Sequence, residues 1–210
     1  DFGPLQKHGI FRDIPVQYAY DDANNRLIRL TGISVDDGAS PHPFEVIDNG
    51  TNLRIKIGDA DTLISGEQRY QIRYTINRGL NPFDDHDEFF WNVTGNDSPV
   101  PIESVSAQVT VANPGVQRVT CYEGPADSEQ ICGSSQFDET GATFSSASLD
   151  EGSGLTVVVG LEKGTVTVPA PELVDANKTF GEQIDDFLGL NPLALAAAPS
   201  ALTARLLDRV

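Results

Sequence analysis

Apolar and polar residues alternate along most of this chain, in short runs separated by Gly, Pro, Asn and Asp. A period of two is typical of strands with one buried face, because successive side chains point to opposite sides of a sheet. Many short strands joined by turns indicate a mainly β fold, an antiparallel β-sandwich. The pattern predicts about ten strands, near residues 14–20, 26–35, 44–46, 53–57, 70–76, 89–93, 105–111, 116–122, 142–148 and 155–161.

Two breaks in the alternation predict local features of this β region. The run from Asp48 to Asn52 is rich in turn residues and separates two alternating segments, so it predicts a hairpin. Gly32 interrupts the alternating run 26–35. A glycine inside a strand weakens regular pairing, so a bulge or bend is expected there.

The apolar period changes near the C-terminus. Prolines end the alternating region, and Phe180 and Ile184 then begin a helical spacing. A second short helix is predicted over residues 201–210. The sequence therefore predicts a β-sandwich domain over residues 1–170 and a helical tail over residues 171–210. This tail either packs on the β domain or pairs with another chain.

Charge narrows the range of partners. The 210 residues include 14 Lys and Arg against 31 Asp and Glu, a formal net charge of -17. This balance excludes nucleic acid and an anionic membrane surface as partners, because both need clustered positive charge. Residues 81–170 hold 2 basic and 14 acidic residues, so a protein partner is expected to be basic or bridged by cations. No apolar run approaches the ~20 residues that span a bilayer, and the chain as given is expected to be soluble.

The two cysteines predict a disulfide. Cys121 and Cys132 flank a loop of Gly, Pro, Asp and Ser, an arrangement that suits a bridge in an oxidising compartment. The alternative is two unrelated buried thiols. A zinc site is not expected, because no second pair of Cys or His completes four ligands.

The most distinctive acidic segment directly precedes three aromatic residues, and we call it the acidic turn. It admits three interpretations: a structural turn at the rim of a sheet, a site for Ca²⁺ built from hard carboxylate oxygens, or the acid–base pair of a glycoside hydrolase. A second Asp-x-Asp sequence is equally typical of a Ca²⁺ loop and of an ordinary Asx-turn. The candidate metal ligands are Asp84, Asp85, Asp87 and Glu88 of the acidic turn, with Asp59 and Asp61 of the second sequence.

Four ordered segments resemble one protein family. The run from His8 to Pro15 is similar to its His-Gly-Ile-Tyr-Arg-Asp-Ile-Pro motif, and residues 57–59 match a following Ile-Gly-Asp. The run from Asp87 to Gly95 is similar to Asp-Glu-Leu-Tyr-Trp-Asn-Val-Thr-Gly, and Cys121 begins a Cys-Tyr-x-Gly match. The chain therefore resembles the YciQ-like bacterial membrane proteins of domain of unknown function 2207. The motif residues are His8, Arg12, Asp13, Asp87, Glu88, Trp91 and Asn92.

The resemblance implies an extracytoplasmic β-sandwich that downstream transmembrane helices hold to the cell membrane. It implies no catalytic residue. The family's strand before the His-Gly-Ile motif is reduced here to residues 1–3, which predicts an open sheet edge for pairing with another chain. The transmembrane part is also lacking, so the chain is expected to be the outer domain cut before its anchor.

These observations favour a non-catalytic surface domain that binds a protein, a peptide or an envelope polymer. No nucleophile elbow, P-loop or His-Glu-x-x-His motif is present in the sequence. The alternatives are a carbohydrate-active hydrolase that uses the acidic turn, and a surface domain stabilised by Ca²⁺. Self-association through the open edge or the tail is a further expectation.

Overall fold

The computed structural model describes residues 1–176 and the backbone of residues 203–206. Sixteen β-strands and no helix occur among these residues. Every pairing between the strands is antiparallel. The mainly β, antiparallel fold that the alternating pattern predicts is therefore confirmed.

The chain divides into two compact units. The first contains Asp1–Arg78 and the described part of Pro169–Pro199, and the second contains Gly79–Val168 and residues 203–206. The chain thus leaves the first unit after Arg78 and returns to it at Pro169. Each unit is therefore built from two separate stretches of the chain.

The described strands of the first unit are β1 (Gly9–Pro15), β2 (Gln17–Ala19), β3 (Asn24–Leu27), β4 (Arg29–Asp36), β5 (Phe44–Asp48), β6 (Asn52–Gly58), β7 (Gln71–Asn77) and β15 (Glu172–Asp175). They form sheets of order β1-β6-β5, β15-β3-β2 and β4-β7. The hairpin predicted around Asp48 to Asn52 is confirmed as β5–β6, and its turn contains a hydrogen bond of 2.9 Å from Asn49 N to Asn52 O. The break predicted at Gly32 is confirmed by a register shift between Thr31 and Ser34.

The described strands of the second unit are β8 (Leu80–Pro82), β9 (His86–Asn92), β10 (Val105–Thr110), β11 (Val116–Gly124), β12 (Ser134–Asp138), β13 (Gly141–Ser146), β14 (Gly154–Glu162) and β16 (Thr203–Leu206). They form a two-sheet sandwich, with sheets of order β11-β14-β9-β8 and β12-β13-β10-β16. Strand β11 contacts β12 and β13, and β13 contacts β14, so the two sheets face each other.

The core of the second unit follows directly from alternation. Val105, Ala107 and Val109 of β10 are buried, and the residues between them are exposed. Phe89 and Trp91 of β9 point into the same core, with their rings stacked at 6.1 Å. Burying one face of each sheet removes apolar area from water, which is the main stabilising contribution to such a sandwich.

The predicted tail is largely outside the described residues. The helix that begins near Phe180 lies there entirely, as do the ends of the helix predicted over residues 201–210. The prediction is wrong at Thr203–Leu206, where the backbone forms β16 against β10. The division predicted at residue 170 stays a prediction. Among the described residues, no helix has the length and apolar character needed to cross a bilayer.

Candidate functional site

The acidic turn joins β8 to β9 and is closed by a hydrogen bond of 2.9 Å from Phe83 N to His86 O. Asp84 and Asp85 are exposed in the turn itself. Strand β9 begins at His86, so the following residues alternate between its two faces. The turn therefore distributes its acidic residues to different environments.

Asp87 points toward the core and is only 3% exposed. Its Oδ1 accepts a hydrogen bond of 2.7 Å from Lys163 Nζ, just beyond the end of β14. Register places Asp87 opposite Leu161 on that strand, so the lysine reaches back along the sheet. A carboxylate this deeply buried needs a charged partner, because desolvation alone is costly.

His86 is held by two side chains and stacked on a third. Its Nδ1 lies 2.6 Å from Asp85 Oδ1, and its Nε2 lies 2.6 Å from Arg118 Nη2. Arginine only donates hydrogen bonds, so the geometry fits the tautomer in which Nε2 accepts from Arg118 and Nδ1–H donates to Asp85. Phe83 lies parallel to the ring at 4.7 Å. The hydrogen bond from His86 lowers the pKa of Asp85.

Gly160 of β14 lies opposite Arg118, and because it has no side chain, it leaves room for the arginine to reach His86. A Cβ atom at Gly160 would lie 2.7 Å from Arg118 Cγ, so any larger residue would displace the arginine. Arg118 and Lys163 are also the two Lys or Arg residues in the sequence 79–168. Both cations of this stretch therefore make hydrogen bonds at the acidic turn, Lys163 to Asp87 and Arg118 to His86.

The carboxylates of the acidic turn do not converge. Glu88 is on the opposite face of β9 from Asp87 and accepts a hydrogen bond of 3.2 Å from Asn81 Nδ2. Within the described part of the chain, no three His, Cys, Asp or Glu side chains form a group that could hold a metal ion. Calcium binding and glycoside hydrolysis at this turn stay predictions without geometric support.

The second Asp-x-Asp sequence forms a local turn in the first unit. Asp59 Oδ1 accepts a hydrogen bond of 2.7 Å from Asp61 N, the pattern of an Asx-turn. His8 Nδ1 lies 3.3 Å from Asp59 O and 3.2 Å from Thr62 O, so the imidazole ties this turn to the start of β1. These contacts account for His8 as a structural residue.

The His8 to Pro15 motif forms β1 and its pairing with β6. Asp13 accepts two hydrogen bonds of 2.7 Å from Arg54, a bidentate pair across the two strands. The Arg54 guanidinium also lies 4.8 Å from the centre of the Phe11 ring. Arg12 Nη1 donates to Asp13 O at 3.0 Å. The motif therefore contributes charged and aromatic contacts that link β1 to β6.

The Asn-Val-Thr-Gly part of the second motif makes side-chain hydrogen bonds that stabilise the turn after β9. Asn92 Oδ1 accepts a hydrogen bond of 2.7 Å from Gly95 N, and Thr94 Oγ1 accepts one of 3.0 Å from Leu155 N. Asn96 extends this network to β11 through a bond of 2.9 Å to Gly124 O. The sequence pattern was therefore a signal of turn geometry.

The predicted disulfide between Cys121 and Cys132 is present, with the two Cα atoms 5.4 Å apart. It links the middle of β11 to the chain just before β12. The loop that follows β11, residues 124–132, lies at the end of the sandwich opposite the acidic turn, because β11 runs from one end to the other.

Three loops gather at that opposite end, and we call them the acidic loop end: residues 93–103, 124–132 and 147–153. Backbone hydrogen bonds of 3.0 Å from Gly152 N to Ser98 O and 2.9 Å from Ile102 N to Leu149 O join two of them. None of the three contains Lys, Arg or His. Its exposed carboxylates are Asp97, Glu103, Asp127, Glu129, Asp150 and Glu151.

Apolar side chains are also exposed at the acidic loop end. Val100 is 54% exposed and Ile131 is 61% exposed. Sequence reasoning located the negative charge in residues 81–170 but missed this cluster. The three loops are far apart in sequence, and only the sandwich topology brings them together.

Comparison with known proteins gives one family and one relative. Residues 1–161 match the family described as "Predicted membrane protein (DUF2207) N-terminal domain". The Escherichia coli (strain K12) protein named "Uncharacterized protein YciQ" is 28% identical over 108 residues, which cover 51% of this chain. The chain spans 17% of the length of that relative in this match. No solved structure is significantly similar to the chain.

Proposed function

The chain belongs to the DUF2207 family of predicted membrane proteins, and from this premise we propose that it is a non-catalytic binding domain held outside the cytoplasm. The resemblance drawn from the His8 and Asp87 motifs is thereby confirmed. Location outside the cytoplasm and the binding role are the two parts of the proposal, and each rests on its own observation.

The Cys121–Cys132 bridge supports the location. Disulfides persist in oxidising compartments and are rare where thiol reductants act. The test is thiol trapping in cells that make the full-length membrane protein. After acid quenching and unfolding, both cysteines should resist alkylation until a reductant is added. Alkylation of both without reductant would place the domain in the cytoplasm and overturn this part.

The acidic loop end is the observation that carries the binding role. The three loops carry six exposed carboxylates together with exposed Val100 and Ile131, and they contain no Lys or Arg. Opposite charge steers association and favours a basic surface, while exposed apolar side chains supply area that a partner can bury. We therefore expect a basic protein or peptide partner at this end.

Two variants of equal net charge test the binding role. The loop variant replaces Asp97, Glu103, Asp127, Glu129, Asp150 and Glu151 with the corresponding amides. The control variant does the same at exposed positions outside the acidic loop end, at Asp22, Asp61, Glu67, Asp84, Glu139 and Glu162. Affinity for a fluorescent oligolysine peptide should fall at least about tenfold in the loop variant and much less in the control. Equal losses would show non-specific attraction and reject the site.

A further inference from the structure

Strand β5 ends its sheet with an open edge. In the order β1-β6-β5 it pairs with β6 on one side, and no other described strand pairs with its far side. Phe44–Asp48 contains neither proline nor lysine, the residues that commonly protect an edge strand from pairing. By contrast, β1 at the other edge of the sheet ends in Pro15 and is preceded by a bridge between Lys7 and Ile64. We therefore expect a further strand to join this sheet at β5.

The hydrogen bonds to β6 determine which backbone groups of β5 point outward. Gly58 N donates to Pro43 O and Asn49 N donates to Asn52 O, each at 2.9 Å, so Pro43 and Asn49 both face β6. Residues that bond to the neighbouring strand alternate along an antiparallel pair, so every second residue between these two also faces β6. The N–H and C=O groups that point away from β6 are those of Phe44, Val46 and Asp48.

Apolar side chains line this open edge. Phe44 is 38% exposed and Val46 is 42% exposed, and both are on the same face of the sheet. Their neighbours on β6, Ile57 and Ile55, are 1% and 0% exposed, so the buried face of the sheet continues into the edge. An added strand would cover Phe44 and Val46 while it extends the hydrogen-bonded ladder.

The sequence of β5 is complementary to itself when two copies run antiparallel with Val46 opposite Val46. In this register Phe44 lies opposite Asp48 of the second copy, and Glu45 lies opposite Ile47, so carboxylates do not meet. Sliding the second copy by two residues in one direction places Glu45 opposite Glu45, which is destabilising. Sliding it the other way places Phe44 opposite the hairpin turn and shortens the ladder. The Val46 register therefore separates the charges and uses the whole strand.

Charge also permits a second copy at this edge. Residues 1–78, which contain β5, hold 9 basic and 11 acidic residues, although the whole chain carries -17. Lys56 Nζ lies 3.9 Å from Glu45 Oε2, so the carboxylate in the middle of the edge has a cationic neighbour. A two-fold pair also leaves no open edge at β5, because each copy of the strand covers the other. The remaining repulsion comes from the net charge of the two chains, and salt screens it.

We propose that β5 is a homodimerisation edge, at which two copies of this chain form an antiparallel β5–β5 ladder centred on Val46. Two three-stranded sheets thereby join into one continuous sheet. The ladder is only five residues long, so the dimer forms at high protein concentration. This proposal does not rest on the binding role of the acidic loop end, and either can fail without the other.

Sedimentation velocity of the whole chain, from about 10 μM to about 1 mM, tests the proposal. The average mass should rise from monomer toward dimer, and more strongly at about 0.5 M than at about 0.05 M NaCl, because salt screens the repulsion. Val46→Lys should raise the dimer Kd at least about tenfold, since it places two ammonium groups opposite each other. Val100→Lys is the matched control: Val100 is an exposed valine of the second unit, and its replacement should leave the Kd unchanged. Melting curves establish that both variants are folded.

Cysteine cross-linking tests the register. Opposite residues of a hydrogen-bonded antiparallel pair have Cα atoms about 5.5 Å apart, a distance that a disulfide spans. Under mild oxidation, Val46→Cys should therefore give covalent dimers several-fold faster than Glu45→Cys, whose thiols would be out of register.

Three results would overturn the proposal. A chain that stays monomeric throughout would leave the edge to a different strand. Association that Val46→Lys and Val100→Lys weaken equally, or that Val46→Lys leaves unchanged, would place the contact elsewhere. Cross-linking through Glu45→Cys at the same rate or faster would reject the register centred on Val46.

Discussion

Gly9 and Gly58 lie opposite each other where β1 meets β6, and their backbones approach too closely for any side chain. A Cβ atom at Gly9 would lie 1.8 Å from Ile57 O, and one at Gly58 would lie 1.9 Å from His8 O. Both residues also have positive φ angles, of 138° and 125°. The glycines of the His-Gly-Ile and Ile-Gly-Asp motifs are therefore both required where the start of β1 pairs with the end of β6.

Gly9→Ala and Gly58→Ala should each lower the free energy of unfolding by about 3 kcal/mol or more, because backbone atoms must move to admit the methyl group. Gly50→Ala is the control. Gly50 also has a positive φ, of 85°, but nothing lies within 4 Å of its Cβ position. It should cost only about 1 kcal/mol. Denaturant titration measures the free energy of unfolding of all three variants. Equal losses would contradict the idea that the close approach of the two backbones is the main cost.

The Asp87–Lys163 pair makes a second prediction for single residues. Lys163→Met keeps the apolar stem but leaves the buried carboxylate without its ammonium partner. Because the lysine side chain is 42% exposed, we expect a loss near the lower end of about 1–3 kcal/mol. Replacing Asp87 with Leu in the same chain should recover most of it.

Glu162→Gln, at an exposed neighbouring position, is the matched control and should change stability by less than about 0.5 kcal/mol. Chemical denaturation of the single and double variants gives the coupling between the two residues. A double variant no more stable than Lys163→Met would contradict the idea that an unpaired carboxylate is the main cost.

At the scale of elements, aspartates that accept backbone hydrogen bonds hold several of the turns. Asp21 Oδ1 accepts from Ala23 N at 2.8 Å and from Asn24 N at 2.7 Å, in the turn between β2 and β3. The hydrogen bond from the Asn24 side chain, followed by those from the backbone, lowers the pKa of Asp21. Ordered turns of this kind fix strand register.

The lowered pKa sets the sign of a pH dependence. An aspartate whose folded-state pKa is depressed stabilises the protein above its unfolded pKa of about 3.9, and this contribution is lost as pH falls through the folded value. Asp21→Ala should therefore lower the melting temperature at pH 6, and the difference from the unchanged protein should shrink below about pH 4. Asp22→Ala, at the exposed adjacent position, should show neither effect. A difference that stays constant down to pH 2 would argue against the charged turn.

The disulfide covalently links β11 to the chain just before β12. In the chain-entropy model, replacing both cysteines with serine should cost about 2–3 kcal/mol, because an 11-residue separation is closed. Adding reductant to the unchanged protein should give the same lowered denaturation midpoint. Reductant should not affect the serine variant, and any shift there would show an effect unrelated to the bridge.

The elements that sequence reasoning found are those with strong alternation. Strands β9, β10 and β14 bury every second side chain, so their period is visible in the sequence. Strand β12 was missed because all five of its residues are exposed and no apolar period marks it. The acidic turn was found for its composition, but only the structure shows that Lys163 pairs with Asp87 and Arg118 with His86. Those partners are distant in sequence, and no local pattern predicts them.

At the scale of the whole molecule, the order of the chain predicts which parts fold independently. The second unit begins at Gly79, and its described core residues all lie before residue 169. The first unit is discontinuous in sequence, because β15, which follows residue 168, pairs with β3. Glu172 of β15 also forms a bidentate ion pair with Arg29.

Residues 79–168, which lack β16, should therefore fold when produced alone, since they contain all the described core residues of the second unit. Their amide NMR spectrum should be dispersed and should unfold cooperatively with denaturant. Residues 1–78 alone should not give a dispersed spectrum, because β3 loses its pairing with β15 and Arg29 loses the carboxylate of Glu172. Joining residues 169–176 to residue 78 through a short Gly-Ser linker should restore it. Glu172→Gln in that joined chain should weaken the restoration, whereas Asp175→Asn at the other end of β15 should weaken it less. A folded 1–78 fragment would show that β15 is dispensable, and the discontinuous unit would then need to be redrawn.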